Sequence, residues 1–318
     1  MIKLYLGIDI GGTAAKFGIV DSFGNILKKD EFSVSFDGYE TPILQTVLKR
    51  SEEFISSSGY NISEISGIGV SATGQIDVNR GIVAGSAGHI KNWLGANIKE
   101  DFEKKYLIKT VVINDANSAA LGEKWIGAGR NAKDIVAVTI GTGVGGGIIV
   151  DNHILLGRRG LAGEIGHIII HGHGEDCSCG NKGCLERYAS MTALVRRVRE
   201  AKNKSPHLFP ESFNAYINGR LIFDALRVRD NSALQGIVNE WMDDISQGII
   251  SLVHIFNPEL VIIGGGVSSQ SIFIEGIRKR VREKIMPRFA EDLKIEPAKL
   301  GNNAGLIGAV YYLLSEEN

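Results

Sequence analysis

All three cysteines of the 318-residue chain fall within eight positions, at Cys177, Cys179 and Cys184. Three histidines precede this cysteine cluster as candidate further ligands: His167, His171 and His173. Three thiolates and one imidazole form a soft four-ligand set that is typical of structural zinc, whereas catalytic zinc keeps an open position. The alternative is three ordinary thiols without a metal, but the chain has no other cysteine. The sequence predicts a structural zinc site, and spacing alone does not choose the histidine.

Two carboxylates bracket this predicted metal site. Glu164 lies just before the histidines, and Glu186 follows the last cysteine by two positions. Charged groups beside a rigid metal-bound loop are suited to hold a ligand. We therefore expect the metal to organise a binding site.

Two other segments match each other at a constant offset. Residues 10–13 and 19–21 align with residues 140–143 and 149–151, and each pair reads as a strand, a glycine-threonine turn and a second strand. Such a pattern is typical of a β-hairpin with an exposed backbone at its tip. Two copies predict two related domains that face each other across a cleft, although ordinary hairpin turns would give the same pattern.

The two copies differ in one position that bears on their chemistry. Asp9 precedes the first turn, whereas Thr139 holds the matching place before the second. Two backbone turns that share one carboxylate fit a polyphosphate with one Mg²⁺, because backbone N–H groups bind phosphate oxygens and a carboxylate binds the hydrated metal. The candidate contacts are Asp9, Gly11, Gly12, Thr13, Lys16, Gly141, Thr142 and Gly143.

A third glycine group, Gly264-Gly265-Gly266, ends the predicted strand Leu260–Ile263. A glycine-rich turn from strand to helix is suited to a nucleotide, so Gly265 and Gly266 are further candidate contacts. The chain has no Walker lysine pattern, which excludes a P-loop enzyme. The glycines of 143–147 precede a predicted strand, which disfavours a dinucleotide fold.

The pair Asn114-Asp115 closes an apolar strand and precedes a good helix start. On local sequence, the favoured interpretation is that Asp115 is the N-cap of the helix, where it would accept a backbone N–H. In the functional interpretation, Asp115 is a general base at a strand end and Asn114 orients the substrate.

These motifs together resemble the ROK family (repressor, open reading frame, kinase) of the actin–hexokinase superfamily, in particular its glucokinases and N-acetylmannosamine kinases. The resemblance covers nearly the whole chain. Asp9–Thr13 and Ile140–Gly147 resemble the phosphate motifs, Gly264–Val267 the adenosine motif, and Asn303–Ala309 the closing helix. The most specific part is Gly166–Ser190, which resembles the family's zinc signature.

The resemblance implies roles that the residues alone leave open. It selects His167 as the fourth zinc ligand, and it makes Asp115 the catalytic base that deprotonates a sugar hydroxyl, usually the 6-hydroxyl, as it attacks ATP. The implied cofactors are ATP, Mg²⁺ and structural Zn²⁺, and the implied assembly is a homodimer or homotetramer. The implied sugar contacts are Gly74, Asn114, Asp115, Glu164, His167 and Glu186.

The implied fold is α/β, with two actin-like (ribonuclease H-like) ATPase domains around a central cleft. We expect a small domain of residues 1–115 plus 301–318. The larger domain is expected to span residues 116–300 and to include the zinc loop.

The sugar itself stays open. Many glucose-specific relatives carry an Asn-Leu pair before a tryptophan in the sugar loop, whereas this chain has His89-Ile90 before Trp93. Glucose and N-acetylmannosamine are favoured, with N-acetylglucosamine, a β-glucoside and fructose as alternatives.

A kinase is not the only function that the resemblance allows. The family also includes sugar-responsive repressors, which carry a helix-turn-helix segment ahead of the sugar domain. Because the phosphate motif begins at Asp9, we expect no such segment here. An actin- or chaperone-like interaction module would need neither the metal site nor its carboxylates. We therefore expect a kinase.

Composition limits the partners and the compartment. The net charge is -1 and the pI is about 6.7, so no nucleic-acid or membrane partner is expected. Few, clustered cysteines and the absence of a leader or a long apolar segment predict a cytoplasmic protein. The basic run of residues 196–204 is interpreted as a solvated helix face.

Apolar runs of strand and helix type alternate along the chain, which predicts an α/β protein. The predicted strands are Leu4–Ile10, Lys16–Val20, Gly67–Val70, Thr110–Ile113, Ile135–Ile140, Gly146–Val150 and Leu260–Ile263. The predicted helices are Thr41–Ser57, Ala116–Trp125, Ser190–Lys202, Ala233–Phe256, Ile272–Ile285 and Ala304–Leu314.

Overall fold

The computed structural model describes residues 2–85, 90–214, 216–228 and 231–316, which form an α/β protein. The strands are β1 (Leu4–Ile10), β2 (Ala14–Asp21), β3 (Ile26–Ser33), β4 (Ile65–Ala72), β5 (Gln75–Asp77), β6 (Ile82–Gly85), β7 (Thr110–Asn114), β8 (Ile135–Ile140), β9 (Val144–Val150), β10 (His153–Ile154), β11 (Leu260–Gly264) and β12 (Lys294–Pro297). The helices are α1 (Ile43–Ser58), α2 (Ile98–Tyr106), α3 (Asp115–Ile126), α4 (Glu186–Ala189), α5 (Met191–Lys204), α6 (Gly219–Val228), α7 (Ser232–Phe256), α8 (Ser271–Lys284), α9 (Pro287–Ala290) and α10 (Ala304–Ser315).

The chain divides into two compact units. The first consists of Met1–Lys133, Gly147–Gly163 and Lys299–Asn318, and the second of Asp134–Gly146 and Glu164–Ala298. The domain bounds expected from the sequence stay a prediction.

The first unit contains a mixed five-stranded sheet with the order β3-β2-β1-β4-β7. β1 pairs antiparallel with β2 and parallel with β4, and β4 pairs parallel with β7. Ile10 lies opposite Ala72, and Ala72 lies opposite Asn114, so the carboxyl ends of three parallel strands meet at one edge. This edge carries the candidate residues Asp9, Asn114 and Asp115.

Helix α10 packs on this sheet across a row of three glycines. Gly7 lies opposite Gly18 in β2 and opposite Gly69 in β4. A Cβ at Gly7 would come within 2.9 Å of the Leu306 carbonyl oxygen, and one at Gly18 within 2.9 Å of the Leu306 side chain. Glycine is needed in this row because any side chain would push the helix off the sheet.

The second five-stranded sheet has the order β10-β9-β8-β11-β12, in which β8, β11 and β12 run parallel. In the second unit, the long helix α7 packs beside α8 through the fully buried Trp241, whose ring lies 5.3 Å from that of Phe273. Large buried aromatic rings of this kind contribute much of the apolar area that stabilises a domain.

The predicted strands and helices are all present, with bounds that differ by two residues or fewer. Several elements were not predicted: β3, β5, β6, β10, β12, α2, α4, α6 and α9. Strand β3 carries the charged run Lys28–Glu31 on a sheet edge, and so lacks the apolar alternation that marks a half-buried strand. No helix in the described ranges is long and apolar enough to span a membrane.

Candidate functional site

Asp9 lies near the carboxyl end of β1 with both carboxylate oxygens engaged. Its Oδ2 accepts a hydrogen bond from Lys16 Nζ at 3.1 Å, and its Oδ1 accepts one from Ser71 Oγ at 2.7 Å. A Cβ at Gly305, in the first turn of α10, would come within 2.6 Å of Oδ1, so glycine leaves room for this carboxylate. The sequence prediction gave Ser71 no role at Asp9, because a contact between two strands has no local signal.

Asn114 and Asp115 form a bonded pair where β7 passes into α3. The Asn114 side chain is the N-cap, because its Oδ1 accepts the backbone N–H groups of Ala116 at 2.9 Å and Asn117 at 3.2 Å. Asp115 is the first residue of the helix, so the prediction of Asp115 as the cap is wrong. Its Oδ1 accepts from Asn114 Nδ2 at 3.0 Å and from the Ala116 N–H at 2.8 Å.

The same asparagine also holds the loop that contains Gly74. Asn114 Nδ2 donates to the Gly74 carbonyl at 2.8 Å, and Gly74 has a φ of 98°, a conformation that L side chains rarely adopt. The neighbouring Thr73 is fixed from both sides, since its N–H donates to Ile10 and its carbonyl accepts from the Trp93 indole. The predicted contacts Gly74, Asn114 and Asp115 therefore lie together.

Asp9, the predicted Mg²⁺ ligand, and Asp115, the predicted base, lie at the same sheet edge. Asp9 is one residue before the end of β1, and Asp115 directly follows the end of β7, two strands away. Neighbouring strands lie about 4.8 Å apart, so the two backbones are separated by roughly 10 Å. Open α/β sheets bind ligands at the carboxyl ends of their strands, which makes this edge a candidate for phosphate chemistry.

The cysteine cluster forms the geometry of a four-ligand metal site. One ligand atom from each of Cys177, Cys179, Cys184 and His167 lies within 4.8 Å of all the others. Cys177 Sγ is 3.6 Å from His167 Nδ1, and Cys179 Sγ is 3.5 Å from Cys184 Sγ. Ligands around a tetrahedral zinc lie about 3.3–3.8 Å apart, so this donor set fits zinc.

The other two histidines lie outside this group. His171 Nε2 is 3.0 Å from Asp244 Oδ1, and the His171 ring packs edge-on against Tyr188. His173 is exposed. Of the candidate histidines, His167 alone is in the four-ligand group found in the described residues.

The thiols of the cluster have different pKa values before any metal binds. A hydrogen bond from the Asn181 backbone lowers the pKa of Cys179 to about 7, whereas burial raises the pKa of Cys184 to about 12. A divalent cation would hold all of them as thiolates, because the thiolate is the ligand form.

The second turn (residues 141–143) lies beside the helical segment that follows the cysteine cluster. Glu186 Oε2 accepts the Val144 N–H at 2.9 Å, and the Met191 N–H donates to the Gly141 carbonyl at 2.9 Å. Glu164, the other predicted carboxylate, is exposed. The predicted sugar contacts Glu164, His167 and Glu186 all belong to the second unit.

The glycines at 264–266 have different structural requirements. Gly265 has a φ of 90°, and a Cβ there would overlap the Ile140 carbonyl, so the fold requires glycine. At Gly266 and Gly141, a built Cβ meets no described atom within 4 Å. Neither backbone strain nor packing explains glycine at these two positions, but close approach of a ligand would. Gly266 opens a short 3₁₀ turn, and α8 begins only at Ser271.

Both open glycines line one cavity of about 1040 Å³ in the second unit. This volume is at the upper end of the range for small-molecule sites. Thr142, Met191 and Phe223 also line it. The second turn (residues 141–143) and the third glycine group (residues 264–266) therefore border the same cavity.

Part of the predicted solvated basic face is involved in specific contacts. Arg196 donates to Glu175 Oε2 at 2.5 Å and to the Arg187 carbonyl at 3.0 Å, and Arg197 binds Asp244. Arg196 and Arg199 also line the cavity. The interpretation as a solvated face is wrong for Arg196 and Arg197 because their partners come from other elements and were invisible in a local pattern.

Comparison with known proteins gives the family. The model of the ROK family matches residues 5–316. The chain belongs to the ROK family. It is 37% identical over 318 residues to the glucokinase of Thermotoga maritima, with 97% of each chain covered. ROK family members share the actin-like ATPase fold, and the mixed α/β sheets described above are those of that fold.

A solved ROK structure and a regulator show the range of this family. The ROK family glucokinase from Streptomyces griseus, in complex with glucose and AMPPNP, superposes with a TM-score of 0.79 at 33% identity, covering 96% of this chain and 97% of that one. The xylose repressor of Caldicellulosiruptor bescii is 28% identical over 98% of this chain and 78% of its own length. The prediction about the sugar loop rests partly on His89, which lies outside the described residues.

Proposed function

We propose that the chain is an ATP-dependent sugar kinase that phosphorylates the 6-hydroxyl of a hexose or N-acetylhexosamine. The observation that carries this proposal is the bonded pair Asn114-Asp115 on the same sheet edge as Asp9. Phosphoryl transfer needs a positioned base, a metal and phosphate cradles, and little covalent chemistry from the protein. The similarity to ROK glucokinases supports this assignment.

Asp115 is proposed to act as the general base. As the sugar 6-oxygen attacks the γ-phosphorus, its proton passes to the Asp115 carboxylate, the new O–P bond forms, and the bond from the γ-phosphorus to the bridging oxygen breaks. The electron pair of that bond leaves with ADP. Asn114 Nδ2 holds Oδ1 of the base, so the carboxylate is oriented before the sugar binds.

Asp9 is proposed to hold Mg²⁺, whose charge would neutralise the phosphate oxygens of the donor. The residues present fit this role: Mg²⁺ in phosphoryl-transfer sites takes one or two carboxylates and keeps several waters. Lys16 pairs with the same carboxylate, and its ammonium would be positioned to bind a phosphate oxygen of the donor.

Zinc is proposed to be structural. The four-ligand set of His167 and three cysteines leaves no open coordination position, and so would fix the loop rather than activate water. His167 faces the cluster with Nδ1, which lies 3.6 Å from Cys177 Sγ, so Nδ1 would bind the metal and Nε2 would remain for another partner. We propose that His167 Nε2 contacts the sugar, together with Gly74, Asn114, Asp115, Glu164 and Glu186.

The cavity of the second unit is proposed to hold the nucleotide. Gly141 and Thr142, which line it, would bind phosphate, and Gly266, which also lines it, would approach the adenosine. The neighbouring Gly143 and Gly265 are proposed as further contacts. In the first unit, the corresponding contacts are Gly11, Gly12, Thr13 and Lys16. The open space above Gly141 and Gly266 supports this proposal.

The proposed function is tested by release of ADP from ATP and Mg²⁺ in the presence of one sugar at a time. The panel contains glucose, mannose, fructose, N-acetylmannosamine, N-acetylglucosamine and a β-glucoside. Sugar-dependent ADP release with at least one of them is expected, with glucose or N-acetylmannosamine giving the highest kcat/KM. Sugar binding without ADP release across the panel would instead support a sugar-sensing regulator, which the similarity to a xylose repressor makes the second candidate.

A further inference from the structure

The segment that follows the cysteine cluster holds the second turn (residues 141–143) at three points. Glu186 Oε2 accepts the Val144 N–H at 2.9 Å, and the Met191 N–H donates to the Gly141 carbonyl at 2.9 Å. Thr192 Oγ1 donates to the Thr142 carbonyl at 2.8 Å. Each residue from 141 to 144 except Gly143 therefore has a hydrogen bond to residues 186–192.

Gly143 packs closely against the same segment. A Cβ at Gly143 would overlap Oε2 of Glu186, although its φ is not in the left-handed region. Gly166, next to His167, packs equally closely against Val144, because a Cβ at Gly166 would overlap the Val144 carbonyl. The segments on both sides of the predicted metal site thus pack against one turn, and two glycines permit this approach.

The holding segment is itself firmly anchored. Glu186 begins α4 two residues after Cys184, and Ser190 caps α5 by accepting the Ala193 N–H at 3.2 Å. The Ser190 carbonyl accepts from the indole of the fully buried Trp241 at 3.0 Å. Because this segment is tied to the core of the second unit, it can fix the conformation of the more exposed turn.

We infer that Glu186 is a positioning residue for the nucleotide, whose carboxylate holds the second turn in its phosphate-binding conformation. This inference rests on the proposed function, in which that turn binds phosphate. Only Oε2 is used by the turn, and Oε1 of Glu186 has no hydrogen-bond partner among the described residues. One carboxylate would therefore serve the sugar with one oxygen and the nucleotide with the other, and loss of Glu186 weakens nucleotide binding even when no sugar is present.

The direct test is calorimetric titration of the zinc-loaded protein with AMPPNP and Mg²⁺ in the absence of sugar. Glu186→Ala is expected to weaken AMPPNP binding about tenfold, the scale of one hydrogen bond to a charged group. Glu186→Gln, which keeps an acceptor oxygen, is expected to restore most of the affinity. The matched control is Glu164→Ala, because Glu164 is an exposed carboxylate beside the same metal site with no hydrogen bond to the turn in the described structure; its sugar-free affinity is expected within twofold of wild type.

A second variant separates positioning from damage to the metal site. Thr192→Val removes the hydroxyl that donates to Thr142 and leaves the segment between Cys184 and Glu186 intact. It is expected to weaken AMPPNP binding about threefold with an unchanged zinc content. Unchanged sugar-free affinity in Glu186→Ala would overturn the inference, whatever the result for Thr192→Val.

A reciprocal variant tests the contact from the other side. Gly143→Ala places a methyl group where Oε2 of Glu186 lies, so it is expected to raise the sugar KM at saturating ATP at least fivefold. In a Glu186→Ala background the same change meets no carboxylate, and the effects of the two changes on sugar KM are expected not to add. Additive effects would contradict the contact.

The outcomes distinguish this inference from the proposed function. Wild-type protein that releases ADP with a sugar, while Glu186→Ala binds AMPPNP normally, would overturn the inference alone. Wild-type protein that binds no AMPPNP and releases no ADP with any sugar of the panel would overturn both.

Discussion

The side-chain amide Nδ2 of Asn114 donates to Oδ1 of Asp115 at 3.0 Å, while Oδ1 of Asn114 caps the helix that Asp115 begins. A single asparagine thus combines a stabilising role with a proposed functional one. It also donates to the Gly74 carbonyl at 2.8 Å, which links the end of β7 to the loop after β4. Variants of Asn114 can separate these roles.

Asn114→Ser is expected to keep the cap and lose the two amide donor bonds, because serine is a good N-cap residue with no N–H₂ group. Both Asn114→Ser and Asn114→Ala lose the amide bonds, but only Asn114→Ala also loses the cap, so its free energy of unfolding should be about 1 kcal/mol lower than that of Asn114→Ser. In both variants kcat should fall at least tenfold. Urea unfolding and steady-state kinetics measure the two effects; full activity in Asn114→Ser would show that the amide does not orient Asp115.

Purified protein is expected to contain about one zinc per chain. Cys179→Ser and His167→Ala should each lower the zinc content sharply, since a closed four-ligand site loses affinity when one ligand is removed. The control is His171→Ala, which changes a histidine of the same loop that lies outside the ligand group and should retain zinc. Metal analysis measures the zinc content of each protein. Wild-type protein without zinc after growth with zinc would contradict the predicted zinc site.

Alanine substitution at two adjacent glycines is expected to affect stability differently. Gly265→Ala should destabilise the protein strongly, because a Cβ there overlaps the Ile140 carbonyl and the backbone is left-handed. Gly266→Ala meets no described atom within 4 Å and should leave the melting temperature unchanged. If the cavity holds the nucleotide, Gly266→Ala should still raise the KM for ATP several-fold. An unchanged KM in this variant would argue against a nucleotide at Gly266.

Glu123 is a buried carboxylate that accepts three backbone N–H groups. It is 2% exposed, and it accepts from Ala128 at 2.8 Å, Lys299 at 2.8 Å and Leu300 at 2.7 Å. Glu123→Gln turns an N–H₂ group toward one of these donors, so a loss of about 2–4 kcal/mol in unfolding free energy is expected. Glu53→Gln, at an exposed ion pair, should cost less than about 0.5 kcal/mol. Equal effects of the two variants in urea unfolding would show that the hydrogen bonds of Glu123 do not stabilise the fold.

The elements that could be predicted from sequence are those with strong local signals. The run Leu4–Ile10 and the helix from residue 232 to 256 have continuous apolar patterns, and both were predicted to within one residue. Strand β3 and helix α2 were missed because their charged residues hide the pattern, and they are defined by pairing or packing with distant elements. Asp115 was interpreted as a cap because Asn and Asp are equally good caps, and only backbone geometry shows which residue begins the helix.

Much of the candidate site could also be predicted, since cysteine spacing and glycine turns are local. The partners of these residues could not. Ser71 is 62 positions from Asp9, and Glu186 is 42 positions from Val144, so neither bond has a sequence signature. Arg196 looked like a surface charge for the same reason, because Glu175 and the Arg187 carbonyl reach it only in the folded chain.

In the proposed mechanism, Asp115 takes the proton of the sugar hydroxyl. The most direct measurement compares Asp115→Asn with wild type in ADP release, using the best sugar of the panel, and in calorimetric binding of the same sugar. Asparagine keeps the shape but cannot accept the proton, so kcat should fall at least 10²-fold while the sugar Kd changes less than about fivefold. A kcat within threefold of wild type, with sugar bound normally, would contradict the assignment of Asp115 as the base.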